Sequence, residues 1–187
     1  MSKKIIKKDT IVQFVGFTTR LDFEEFSVRW EQYANRNRNK KMDIILQQQF
    51  DTNCRFKYVS QHEWPPEDFQ FAFMKGRESL NFPEHNVKVV QTGGYSPLQT
   101  EYRQHDDNDL VKVMVFVSHN ETDIDFYKEL SCYRFLNIYQ AYYESCTYGY
   151  VLEFFTEEET ATELLLQLKT RTGIETGIYR ECLVPNL

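Results

Sequence analysis

The order of local signals constrains this chain most. Strand, helix, two extended segments, helix and strand follow one another twice within 187 residues. Residues 10–19 (TIVQFVGFTT) are dense in β-branched and aromatic side chains, which suit a pleated, half-buried surface, and they predict a strand. Asp22 then stands where a side-chain oxygen accepts an orphan amide hydrogen of a first helical turn, with Glu25 three residues on. Phe23, Phe26, Trp30 and Tyr33 recur at helical spacing, so an amphipathic helix is predicted. It gives way to polar residues at 35–41. Two extended segments follow, 42–49 and 55–63, joined by a turn at Asp51-Thr52-Asn53-Cys54. Pro65-Pro66 predicts a helix start, because proline's fixed φ fits a first turn where no amide hydrogen is needed. Phe69, Ala72 and Phe73 supply its apolar stripe. Residues 86–92 close the unit as a strand ended by Gly93-Gly94.

The second half uses the same grammar. Residues 109–118 (DLVKVMVFVS) predict a strand, 123–135 a helix, and 136–144 with 148–155 a hairpin. Thr156-Glu157-Glu158-Glu159 has the pattern of a capping box, with Ala161, Leu164, Leu165 and Leu168 as the stripe of a final helix before a strand at 173–182. Each half reads β-α-β-β-α-β. Units at 1–96 and 109–187 are predicted, with polar residues 97–108 as the linker. Aligning the helix starts, Asp22 with Asp123, gives an offset of 101 that matches Val12, Phe14 and Gly16 with Val113, Val115 and Val117. Cys54 and Cys146 fall in equivalent turns at an offset of 92.

These whole-element patterns, at 10–19, 22–33 and 42–63 in one half and 109–118, 123–135 and 136–155 in the other, resemble a tandem of two ferredoxin-like units. They are similar to the dimeric α+β barrel superfamily. The resemblance implies an α+β fold in which two antiparallel sheets face each other with helices outside. That superfamily includes cofactor-free monooxygenases acting on phenols and quinols, haem-dependent enzymes, isomerases and ligand-binding regulators, and architecture does not choose among them. Two-sided strands agree with facing sheets. A sheet wetted on one side alternates apolar and polar residues, whereas residues 148–155 are apolar or aromatic except at Gly149 and Glu153.

Composition narrows the partners. Residues 1–104 hold 16 basic and 13 acidic side chains, net +3, and residues 105–187 hold 6 and 15, net −9. That acidity argues against nucleic acid, which needs positive potential, although Val115-Phe116-Val117 and Tyr148-Gly149-Tyr150 have some likeness to RNA-recognition consensus strands. No apolar run approaches the roughly 18 residues of a membrane span, and no secretion signal is read at the start, so a cytosolic protein with no membrane partner is expected. The four cysteines lack C-x-x-C spacing, and reduced thiols are expected. The sequence calls for no cofactor and no metal, and it leaves the oligomeric state open.

A small apolar or aromatic molecule bound between the two sheets is the expected ligand, in a space containing Gln13, Phe17, Met114 and Phe116, with Tyr58, Tyr142 and Tyr150 as further candidates. Gln13, Tyr58, Met114, Phe116 and Tyr150 are the candidate binding residues. His62 is the candidate catalytic base, because an imidazole with a pKa near neutrality beside aromatic rings can remove a phenolic proton. His85, His105 and His119 lie scattered at predicted loop positions, and Arg36, Arg38, Lys40 and Lys41 form a basic stretch that reads as solvated loop. The choice between an enzyme, either monooxygenase-like or isomerase-like, and a structural or protein-interaction module stays open.

Overall fold

The computed structural model describes residues 10–36, 44–48, 52–69, 87–100, 110–120, 130, 133 and 136–182, with backbone alone at 31–36, 44–48 and 91. In chain order the elements are β1 (Ile11–Thr18), α1 (Phe23–Arg36), β2 (Ile44–Gln48), β3 (Tyr58–Trp64), β4 (Lys88–Gln99), β5 (Val111–Val117), β6 (Asn137–Ala141), β7 (Tyr150–Thr156), α2 (Glu158–Leu168) and β8 (Ile174–Cys182). A helical turn also opens at 66–69, where the Asp68 and Phe69 amides donate to the Pro65 carbonyl at 3.0 and 3.1 Å. The apolar stripe beyond it and the helix expected at 123–135, except Leu130 and Tyr133, lie outside the described residues, as do Cys132, His85, His105 and the basic stretch at 37–41.

The described strands close into one barrel in the order β1-β3-β2-β8-β5-β7-β6-β4, with β4 returning to β1. Every pairing is antiparallel. Within the first half the neighbours run β4-β1-β3-β2, and within the second β8-β5-β7-β6. The halves are sealed by β2 against β8 (Leu46 opposite Glu181) and by β4 against β6 (Tyr95 opposite Ala141). The fold is therefore α+β, with one strongly curled antiparallel sheet. Among the described residues no helix is long and apolar enough to cross a membrane.

Helices cover the outside. The Asp22 carboxylate accepts from the Glu25 amide at 2.9 Å, as the sequence predicts, and starts α1. That helix buries Phe26 and Trp30 against Val15, Phe17 and Tyr58. The Phe26 and Tyr58 rings stack at 4.0 Å, while Trp30 meets Phe17 edge-on at 5.2 Å. On the other half, α2 buries Ala161, Leu164, Leu165 and Leu168 against Val111, Val113, Val115 and Val117. The expected capping box does not form. Thr156 belongs to β7, Glu157 is the N-cap with no side-chain bond, and the Ala161 amide is met by the Glu157 carbonyl at 2.9 Å.

Two further expectations are corrected. Val12 and Phe14 face into the barrel, whereas Val113, Val115 and Val117 face α2, so the alignment offset of 101 is one residue out of register. A single-residue slip inverts every side chain of a strand, which is why Gln13 and Phe17 lie on the outer face and not between the sheets. Strand β4, moreover, does not end at Gly93-Gly94. It runs through both glycines to Gln99, into the stretch read as linker, and pairs with β6 on the way. The register against β1 shifts between Phe14 and Val15 opposite Gly93, so the glycine marks a bulge and not a stop.

Gly93 has φ +125°, and a Cβ there would lie 2.5 Å from Cys146 Sγ, so both backbone and space require glycine. Gly93→Ala is expected to lower the unfolding free energy by about 2 kcal/mol in a denaturant titration. An unchanged midpoint would show that the bulge relaxes freely.

Candidate functional site

Side chains fill the space between the facing sheets. Phe14 meets Tyr95 at 5.7 Å and Tyr139 at 5.3 Å, and Phe56 meets Phe116 at 5.4 Å, all with no exposed surface. Met114 and Phe116 lie in this cluster. The sheet face that an RNA-recognition fold leaves open to bases is turned inward here.

The same interior holds an ion cluster that the sequence reading missed. Lys112 Nζ lies 3.2 Å from Glu153 Oε2 and 3.1 Å from Glu181 Oε1, with the lysine side chain only 3% exposed. Glu153 Oε1 accepts from Asn137 Nδ2 at 3.0 Å and from the Tyr139 hydroxyl at 2.8 Å. Burial works to lower the Lys112 pKa, but the two carboxylates more than offset it, and the net direction is upward. Burial first, and Glu153 second, hold the Tyr139 phenol well above its ordinary range. The signal was present: Lys112 and Glu153 are charges on otherwise apolar strands, at positions that the pleat turns inward. Toward the opposite ends of the strands, Tyr148 accepts from Arg55 at 3.0 Å and donates to Glu175 at 2.8 Å, closing the aromatic cluster with a half-exposed ion pair.

The outer face of β1 and β3, beneath α1, is where the structure gathers Gln13, Tyr58 and His62. Gln13 stands directly across from His62 in the strand pair, and each is 3% exposed. His62 Nε2 lies 3.0 Å from Ser60 Oγ. Its ring lies near two indoles, Trp30 at 6.1 Å and Trp64 at 6.4 Å between centroids. The Trp64 indole donates to Gln13 Oε1 at 3.0 Å. Tyr58 packs on Phe26 and donates to the Leu21 carbonyl at 3.1 Å, and burial pushes its phenol up to about 12. Tyr150 is elsewhere, on the outer side of the second half against the α2 core, and Tyr142 is exposed. The six candidate residues thus occupy three places, since strand parity and the two halves separate Met114, Phe116 and Tyr150 from the other three. A cavity of about 410 Å³ lies along α1, lined by Leu21, Glu24, Glu25, Val28 and Arg29, on the side turned away from Phe26 and Trp30. It does not reach this cluster.

No protein-family model matches the sequence, and no curated protein sequence matches it. By structure the chain is similar to an anthrone oxidase-like protein, with a TM-score of 0.59 and 8% identity over 92% of each chain. It is also similar to a siroheme decarboxylase in complex with an iron-uroporphyrin III analogue, with a TM-score of 0.51 and 10% identity over 93% of this chain and 72% of that one. A mutant chlorite dismutase from Candidatus Nitrospira defluvii gives a TM-score of 0.50 and 9% identity over 93% of this chain and 92% of that one. At these identities the likeness is one of fold, that of the dimeric α+β barrel. An iron porphyrin would need an axial ligand from the protein. Of the histidines in the described residues, His62 Nε2 is engaged by Ser60, and His119 Nε2 lies 2.8 Å from the Cys146 carbonyl.

Two measurements probe the interior. Lys112→Met leaves Glu153 buried without its cation and is expected to cost about 3 kcal/mol of stability, whereas Lys112→Met with Glu153→Gln loses distinctly less. Equal losses in denaturant unfolding would show that the ion pair carries no coupling. Burial pushes the Cys54 thiol, 3.3 Å from the Tyr179 hydroxyl, up to about 11 from 9.0. Its contribution to stability is therefore intact below pH 9 and is lost as pH rises toward 11. Cys54→Val should flatten the fall in stability over that window by up to one proton.

Proposed function

We propose that the chain is a tandem of two ferredoxin-like units, and that the outer face of the first unit carries an acid–base site for a small aromatic molecule that is phenolic or enolisable. The tandem reading is supported by the identical neighbour order within the halves, and by matching rows across them: Phe14, Gln61 and Gly93 in one, Met114, Glu153 and Gly177 in the other. The loop cysteines are also used reciprocally. Cys54 of the first half reaches Tyr179 on the last strand of the second, and Cys146 of the second half donates to the Gly94 carbonyl on the last strand of the first, at 3.3 Å each.

One observation carries the functional reading. The cross-strand pair beneath α1 is Gln13 opposite His62, whereas the corresponding pair in the second half is Val113 opposite Phe154, both fully buried. The second half shows what this position needs when it only packs. Burying an amide and an imidazole where valine and phenylalanine serve costs roughly 1–3 kcal/mol per group unless each finds a partner. Ser60 and Trp64 supply those partners, so a polar network is kept where an apolar pair would pack, and that is what supports a chemical role. In this reading His62 takes the O–H proton of a phenol, or the C–H proton beside an enolisable carbonyl, leaving the electron pair on the oxygen; Gln13 donates to that oxyanion, Trp30 and Trp64 flank the ring, and Tyr58 closes the wall beside α1. The molecule is assigned to the layer between sheet and helix because the polar pair faces that layer. Met114, Phe116 and Tyr150 serve the scaffold. The likeness in fold to an anthrone oxidase-like protein agrees with a polycyclic, enolisable substrate.

His62→Phe, which copies the second half, is the discriminating variant. It should keep or raise the melting temperature while slowing the anaerobic exchange of anthrone methylene protons into deuterated water by at least about a hundredfold, the share of one positioned base. Exchange at the wild-type rate in His62→Phe, or none above background in the wild type, would remove the acid–base reading.

A further inference from the structure

We infer that Trp64 is a positioning residue whose indole N–H locks the Gln13 carboxamide, oxygen toward the indole and NH2 toward the bound molecule, so that the site takes its ligand as an oxyanion. This rests on the acid–base reading of His62 above. An indole nitrogen only donates, so at 3.0 Å the group facing it must be the carboxamide oxygen, and the flipped amide would set N–H against N–H. With its oxygen engaged, Gln13 has two N–H donors left to offer. Gln13 and His62 are directly opposed across the strands, where Cβ atoms stand about 4.5–5.5 Å apart, so base and donors converge on one region. Trp64 shares that face two residues beyond His62, and its ring lies 6.4 Å from the imidazole.

The consequence concerns charge. When the ligand O–H bond breaks, the proton passes to a ring nitrogen of His62 and the electron pair stays on the ligand oxygen. The resulting imidazolium and the neutral NH2 both favour that oxygen ionised, since a hydrogen bond to a charged acceptor is stronger than one to a neutral acceptor. An amide free to rotate would offer its own oxygen half the time and repel the anion.

p-Nitrophenol tests this, because its ionised form has a separate absorption band and its pKa when bound can be read by titration. Wild-type protein should bind it and lower its pKa. Trp64→Phe keeps a ring but removes the donor, and should weaken the preference for the anion by roughly tenfold while leaving the affinity for neutral nitrobenzene unchanged. Gln13→Glu keeps an oxygen for Trp64, removes both donors, and should raise the bound pKa further. Should Trp64→Phe fail to fold, Gln13→Glu decides by the same reading. A bound pKa unmoved by either variant, but raised by His62→Phe, overturns the lock and leaves the acid–base reading standing. p-Nitrophenol that fails to bind the wild type, or binds with an unshifted pKa, overturns both.

Discussion

Everything in this molecule depends on the two seams where β2 meets β8 and β4 meets β6. A curled four-stranded sheet leaves two edges of unpaired amides and carbonyls and one apolar face exposed, each of which invites association with another chain. Joining two such sheets edge to edge removes all of these at once. The join makes the inner faces dry, and dryness dictates what they hold: interlocked rings, and charges only where each finds a counterpart. Lys112 is tolerated there because Glu153 and Glu181 reach it from neighbouring strands, and Glu153 because Asn137 and Tyr139 also satisfy it. A buried cluster of this kind is a weak source of stability but a strict one of register, since a slip of any participating strand strands a charge.

With the interior sealed, the outer layers are where the halves diverge. The second half lays α2 on a face of valine, leucine, isoleucine and phenylalanine interrupted by Thr176. The first lays α1 on Val15, Phe17 and Tyr58, and beside them places Gln13, Ser60, His62 and the indole of Trp64. Two halves with the same strand order provide their own control, because one shows the packing solution and the other the departure from it. Trp30 belongs to both roles in the first half, filling the core against Phe17 and covering the imidazole.

The corrections share a cause. At Thr156 the sequence offers a cap, but β7 pairs that residue with Val111 and claims it for the sheet. At Gly93-Gly94 it offers a stop, but strand pairing on both sides of β4 carries the chain through, and the glycine is spent on a bulge beneath Cys146. Pairing partners distant in sequence overrode local propensity in both places. Parity failed for the same reason: Asp22 and Asp123 are helix signals, and the registers that decide which way Gln13 points belong to β3 and β4.

By itself the sequence determined the elements. Hydrophobic period separates 10–19 from 22–33, the Asp22 cap starts α1, and the spacing of Ala161, Leu164, Leu165 and Leu168 specifies the buried stripe of α2, because each of these rests on interactions within a few residues. It also marked His62 and Gln13 as residues of interest by type. Only the tertiary structure decided that the sheets close, that Lys112 meets Glu153 and Glu181, and that Gln13 and His62 share a face beneath α1 while Met114 and Phe116 turn inward. Those outcomes depend on strand register across dozens of residues, and in a strand a shift of one position exchanges inside for outside.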